Sequence, residues 1–140
     1  MKSKMTGGPA ATHEFGVRVY YEDTDLAGIV YYANYLKFIE RARTEWVRGL
    51  GFDQGKLKSD TGVVFAVSRV EADYVTPARF DDLLQVVTAV QAIGGARLLL
   101  RQDVMRGQTV VFKAIVTLVA LTATGAPTRL PAEFRQRITG

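Results

Sequence analysis

The chain has 140 residues, a formal net charge of +4, 48% hydrophobic and 23% charged residues, ordinary values for one globular domain with its own core. No apolar run approaches the roughly 18 residues that would span a bilayer, and the lack of cysteine removes disulfides, thiolate metal sites and thiol nucleophiles. Five of the 18 basic residues lie near the two ends (Lys2, Lys4, Arg129, Arg135, Arg137), so there is no basic stripe for nucleic acid, and a cytoplasmic protein is expected.

The opening MKSKMTGGPAATHE lacks the apolar centre of a signal peptide and reads as a tail over 1–13. Residues 15–21 alternate around Val17, Val19 and Tyr21, a strand pattern. An acidic turn with Asp23, Asp25 and Gly28 follows. The spacing of Tyr35, Phe38, Ile39, Ala42, Trp46 and Leu50 then predicts a helix over 34–50, with Lys37, Arg41, Glu45 and Arg48 on its polar side. Gly49 and Gly51 fit its stop, and DQGKLKSDTG (53–62) reads as a polar loop.

Beyond it the period drops to two. Residues 63–76 form a strand ended by Pro77, which cannot donate to a ladder. Two further strands, 83–93 and 96–106, are joined by Gly94-Gly95, a two-glycine hairpin signal. A turn at Met105-Arg106-Gly107-Gln108 leads to a last strand over 109–122, and a short helix is expected after Pro131. The fold class is α+β: an antiparallel sheet of about five strands with one long helix. Both sides of the last strand are apolar (Val110, Phe112, Ala114, Val116 and Leu118; Val111, Ile115, Val119 and Leu121). One helix cannot cover both: either the strand is central and a second subunit covers the other side, or a ligand fills the space, and of these a homo-oligomer is expected.

The single histidine, His13, falls in the expected tail, which leaves a Ser-His-Asp triad without an ordered imidazole. Zinc lacks ligands. Asp23-x-Asp25 with Gly28 resembles the start of a calcium loop, but Ala27 stands where an oxygen ligand is needed and Asn34 where a bidentate Glu belongs. Gly94-Gly95 has no following Lys-Ser/Thr and is a turn, not a phosphate loop. No metal or cofactor is expected.

Carboxylate chemistry remains. An aspartate beside Leu26, Ile29 and Val30 would be partly desolvated and so a stronger base or nucleophile. The following helix start offers unpaired N–H groups and a positive dipole end, which suit a developing oxyanion. The same aspartates would also serve as caps or turn braces, and residue types alone leave both readings standing.

The stretch YYEDTDLAGIVYYANYLKFIERARTEWVRGLG resembles the signature of hotdog-fold acyl-CoA thioesterases, in the YbgC-type and 4-hydroxybenzoyl-CoA thioesterase branch. It carries D-x-D-x-x-G-[IV]-V-Y-[HY]-x-N-Y and the helical ERAR; ADYVTPARFDD matches more weakly. The resemblance implies a hotdog domain over 14–123 with a C-terminal extension over 124–140, working as a homodimer or homotetramer. It implies hydrolysis of acyl-CoA to free acid and coenzyme A. Asp25 would be the base or nucleophile, and the Tyr32 backbone N–H the oxyanion donor. Gly28 would let the backbone approach the substrate, with Ile29, Val30 and Phe65 lining the acyl pocket and Asn34 holding the loop to the helix. Arg69, Arg97 and Arg129 are possible contacts for the coenzyme A phosphates.

Many YbgC-type sequences have His where this chain has Tyr32, which puts the acyl preference in doubt but spares a backbone donor. Glu40, Arg41 and Arg43 read as helix surface, Trp46 as core, and Thr76 and Ala78 as structural. Two rival readings are a non-catalytic acyl-CoA-binding module and a hotdog dehydratase. The dehydratase would need His13 close to Asp25.

Overall fold

The computed structural model describes residues 12–139, so nearly all of the expected tail lies outside the described residues. His13 does not belong to that tail. It opens strand β1 (His13–Arg18), opposite Thr88. β1 is shorter than the alternation suggested because the chain leaves the ladder at Val19. That residue stays buried by exchanging backbone bonds with Asp81 and Asp82 (2.8 and 2.9 Å). Tyr20 and Tyr21 then turn out into solvent.

Helix α1 (Asn34–Gly49) buries Tyr35, Phe38, Ile39, Ala42, Trp46 and Val47, the stripe that the spacing predicts. Gly51, at φ +95°, supplies the left-handed backbone at its exit. Arg43 departs from the surface reading: its guanidinium turns inward and donates to the Gln102 side chain at 3.0 Å.

The expected loop over 53–62 is instead a two-turn helix, α2 (Gln54–Thr61). Asp53 caps it by accepting from the Lys56 N–H at 3.0 Å, and Gly62 ends it at φ +75°. α2 buries no residue, so it has no apolar stripe for a periodicity argument to find; the signal lay in the flanking caps.

Strands β2 (Val64–Tyr74), β3 (Leu83–Ile93), β4 (Arg97–Arg106) and β5 (Thr109–Leu121) follow, close to the expected spans. β2 stops three residues before Pro77. Neither Gly94 nor Gly95 takes a positive φ, so the primed hairpin turn is not formed; Gly94 instead donates to the Arg97 carbonyl at 2.8 Å. The short helix after Pro131 is present as α3 (Ala132–Thr139), and its Phe134 packs on Trp46, Phe52 and Phe65.

The five strands form one antiparallel sheet in the order β1-β3-β4-β5-β2, with α1 on one face. Leu84, Val86, Leu98, Leu100, Phe112 and Val116 meet the helix there in a single core. This is the hotdog arrangement. β5 is interior to the sheet, and Val111 and Val119 of its second apolar set are already buried within the chain. On β2, an edge strand, Val67, Val70 and Tyr74 stay exposed.

Candidate active site

The acidic turn is a small closed unit. Thr24 bridges Val30, Asp25 N–H donates to the Ile29 carbonyl at 2.9 Å, and Gly28 N–H donates to the Asp25 carbonyl at 2.9 Å. Gly28 sits at φ +80° with nothing within 4 Å of where a Cβ would be. Its requirement is therefore conformational rather than steric.

The two aspartates divide their work. Asp23 braces: its Oδ2 accepts from Tyr20 N–H at 2.8 Å, and its carbonyl takes Tyr31 N–H at 2.9 Å and the Asn34 side-chain amide at 2.9 Å. Asn34 thereby ties the turn to the first residue of α1. Asp25 is half-buried, with Oδ1 accepting from Ala27 N–H at 2.9 Å. Its Oδ2 has no partner among the described residues. Leu26 is fully exposed and lends no desolvation; Val30 is buried and Ile29 half-buried.

The chain then runs directly into the helix. Asn34 N–H reaches the Tyr31 carbonyl at 2.8 Å, while the Tyr32 and Ala33 N–H groups have no acceptor among the described residues. These are the orphan donors of a helix start, at the positive end of its dipole. Asp25 and the Tyr32 N–H thus lie on one continuous segment, either side of Val30.

At the Tyr32 end of this segment is a cavity of about 280 Å³ lined by Ile29, Val30, Tyr32, Tyr35, Tyr74 and the 75–77 segment; Asp25 stands four residues before its first lining residue. Its wall carries no charge. Tyr74 OH donates to the Tyr32 carbonyl at 3.2 Å, fastening the end of β2 to the helix start. The 75–82 loop is fixed by Arg106, which donates to the Pro77 carbonyl and to Asp82, each at 3.0 Å. Tyr35, Tyr74, Val75, Thr76 and Pro77 were not among the expected site residues. Pattern gives Tyr35 and Thr76 structural roles, and only the three-dimensional closure of β2 onto α1 reveals them here.

Two expected residues are not brought here. Phe65 lies nine residues before Tyr74 on β2, about 30 Å of extended chain, and packs on Phe134 at 5.0 Å between ring centres. Arg69 pairs with Thr117 across the sheet and with Glu71 at 3.1 Å, on the face away from α1. Glu71 borders a larger depression there, walled by Asp73, Arg101, Asp103 and Lys113, far more charged than an acyl pocket should be. His13 lies against Gly49, the last residue of α1. Asp25 precedes the helix's first residue, so about 24 Å of helix separates them. Acid–base pairing of the two is excluded.

Residues 27–113 match the thioesterase superfamily. The chain is 48% identical over 102 residues to the acyl-CoA thioesterase YbgC of Haemophilus influenzae, covering 73% of this chain and 75% of that one. It is 36% identical over 126 residues to the acyl-CoA thioester hydrolase YbgC of Escherichia coli O6:H1, covering 86% and 93%. Among solved structures, a probable thioesterase from Bartonella henselae superposes with a TM-score of 0.82 at 36% identity, covering 86% of this chain and 99% of that one.

Proposed function

The chain belongs to the thioesterase superfamily, and on that footing we propose that it hydrolyses acyl-CoA to a free acid and coenzyme A, with Asp25 as base or nucleophile. One observation carries the assignment of roles. A carboxylate with one oxygen held and the other free stands on the segment that leads into unpaired helix-start N–H groups.

The chemistry takes one of two balanced courses. In the first, Asp25 Oδ2 attacks the thioester carbonyl carbon, the C–S bond breaks, and coenzyme A leaves as thiolate. Water then opens the mixed anhydride, restoring the carboxylate and releasing the acid. In the second, Asp25 takes a proton from a water that attacks the same carbon. The tetrahedral intermediate then collapses with cleavage of the C–S bond, and the proton passes from Asp25 to the leaving thiolate, restoring the carboxylate. Either way the carbonyl oxygen becomes an oxyanion, and the Tyr32 N–H donates to it. Gly28, Ile29 and Val30 shape the approach, and Asn34 holds turn and helix in register. Domain limits of 14–123 with a C-terminal extension suit this reading, although α3 contributes Phe134 to the core.

The test is thiol release across short, long and aromatic acyl-CoAs. Turnover of at least one is expected; binding without turnover on every substrate would favour the non-catalytic module instead.

A homodimer or homotetramer is part of the same reading. β2 has an open edge, and Val67, Val70, Tyr74 and Val75 are exposed beside it. Such an edge next to apolar side chains invites pairing with a second copy. Sedimentation should find a dimer or larger, and Val67→Asp with Val70→Asp should shift it toward monomer. A monomeric wild type overturns the assembly.

A further inference from the structure

Three tyrosines line the apolar cavity, and their hydroxyls are in different situations. Tyr74 donates to the Tyr32 carbonyl at 3.2 Å. Tyr32 is mostly exposed, so water serves its hydroxyl. Tyr35 is 3% exposed. Its oxygen accepts from Ala78 N–H at 3.2 Å, but its hydrogen has no acceptor among the described residues.

A phenol has one hydrogen to give as well as lone pairs to receive with, and a buried donor left unused is costly enough to be rare. The Tyr35 ring has no freedom to seek another partner. It stacks on Phe112 at 4.9 Å and 4°, with Phe38 and Tyr74 set edgewise against it. The Ala78 peptide beside it is fixed by Val30 N–H at 2.8 Å. Burial also pushes the phenol above its ordinary range, so it keeps its hydrogen at neutral pH. Of the remaining wall, Ile29, Val30, Val75 and Pro77 offer hydrocarbon, and Thr76, half-buried, adds one hydroxyl.

Resting on the acyl-CoA reading above, we propose that the acyl group carries a neutral oxygen, keto or hydroxyl, that accepts the Tyr35 hydrogen bond. Tyr35 is then the residue that selects oxygenated over plain hydrocarbon acyl groups. A carboxylate-bearing acyl group is disfavoured, since no cation lines the cavity to receive it.

The experiment compares acyl-CoAs matched in carbon skeleton, plain against hydroxy or oxo, in an aliphatic and an aromatic series. The wild type should favour an oxygenated member of at least one series by about tenfold or more in kcat/KM, the discrimination a site built to bond that oxygen provides. Tyr35→Phe keeps the ring and removes the hydroxyl, so this preference should collapse toward parity. Because the change also takes the acceptor from the Ala78 N–H, the readout is the ratio of oxygenated to plain kcat/KM within each pair, not either rate alone. Non-hydrolysable thioether analogues of the same pairs, titrated calorimetrically, should give the same ordering of Kd. Equal or better use of plain acyl groups by the wild type overturns the proposal, as does a preference that survives in Tyr35→Phe. Should no thioester be hydrolysed at all, the thioesterase reading fails, and the thioether affinities still decide what the cavity selects.

Discussion

Asp25→Asn should reduce acyl-CoA turnover by about a thousandfold or more, the scale seen when a charged member of a catalytic set is neutralised. The substitution is nearly isosteric. Asparagine still offers an oxygen to Ala27 N–H, the bond that holds Asp25 Oδ1 now at 2.9 Å, and the turn's own backbone bonds do not involve the side chain. The loss is specific to the negative charge: an amide neither attacks a thioester carbonyl nor deprotonates water at neutral pH. An unchanged circular dichroism spectrum and thermal midpoint should accompany the loss. Asp23→Asn is the matched control, because the Asp23 carboxylate is engaged by the Tyr20 N–H; it should act through stability rather than chemistry. Full turnover by Asp25→Asn removes Asp25 from the mechanism.

Local spacing carries α1, β3 and β4 to within a residue or two, because each buries one face and so repeats at its own period; β5, buried on both sides, is marked instead by its continuous apolar run between turns. What spacing missed had no buried face to report. α2 is held by caps alone, and the Gly94-Gly95 turn uses neither glycine's left-handed freedom. The site divides in the same way. Asp23, Asp25, Gly28, Tyr32 and Asn34 are contiguous, so their proximity is written into the chain. Tyr74, Val75 and Pro77 reach the cavity only because β2 ends beside the start of α1. Phe65 shows the converse error: it sits on the correct strand, but at the end nearest Phe134. A strand expected to face the helix supplies the face; the position along it needs the fold.

The arginine placed on the surface by the ERAR pattern leads to the largest expected effect on stability. Gln102 is fully buried on β4 and makes three bonds: Oε1 accepts from Arg43 at 3.0 Å, and Nε2 donates to the Ile39 carbonyl at 2.9 Å and to Thr88 at 3.0 Å. One side chain therefore joins α1 to β3 and β4 in the middle of the core. Burial already pulls the Arg43 guanidinium below its ordinary range, the mark of a cation held partly out of water. Gln102→Leu fits the volume but leaves that cation, a helix carbonyl and a hydroxyl short of a partner. Unsatisfied groups of this kind cost about 1–3 kcal/mol each, and relaxation toward water should limit the total to about 3 kcal/mol, roughly 10 °C in Tm. If the cost is the stranded charge, Arg43→Met in the same chain should restore much of it, since a buried polar set is often replaceable by hydrocarbon as a whole but not in part. Chemical denaturation of the two single variants and the double measures the coupling directly. Additive losses would mean that Arg43 finds water without Gln102, and that the helix is held to the sheet by its apolar stripe alone.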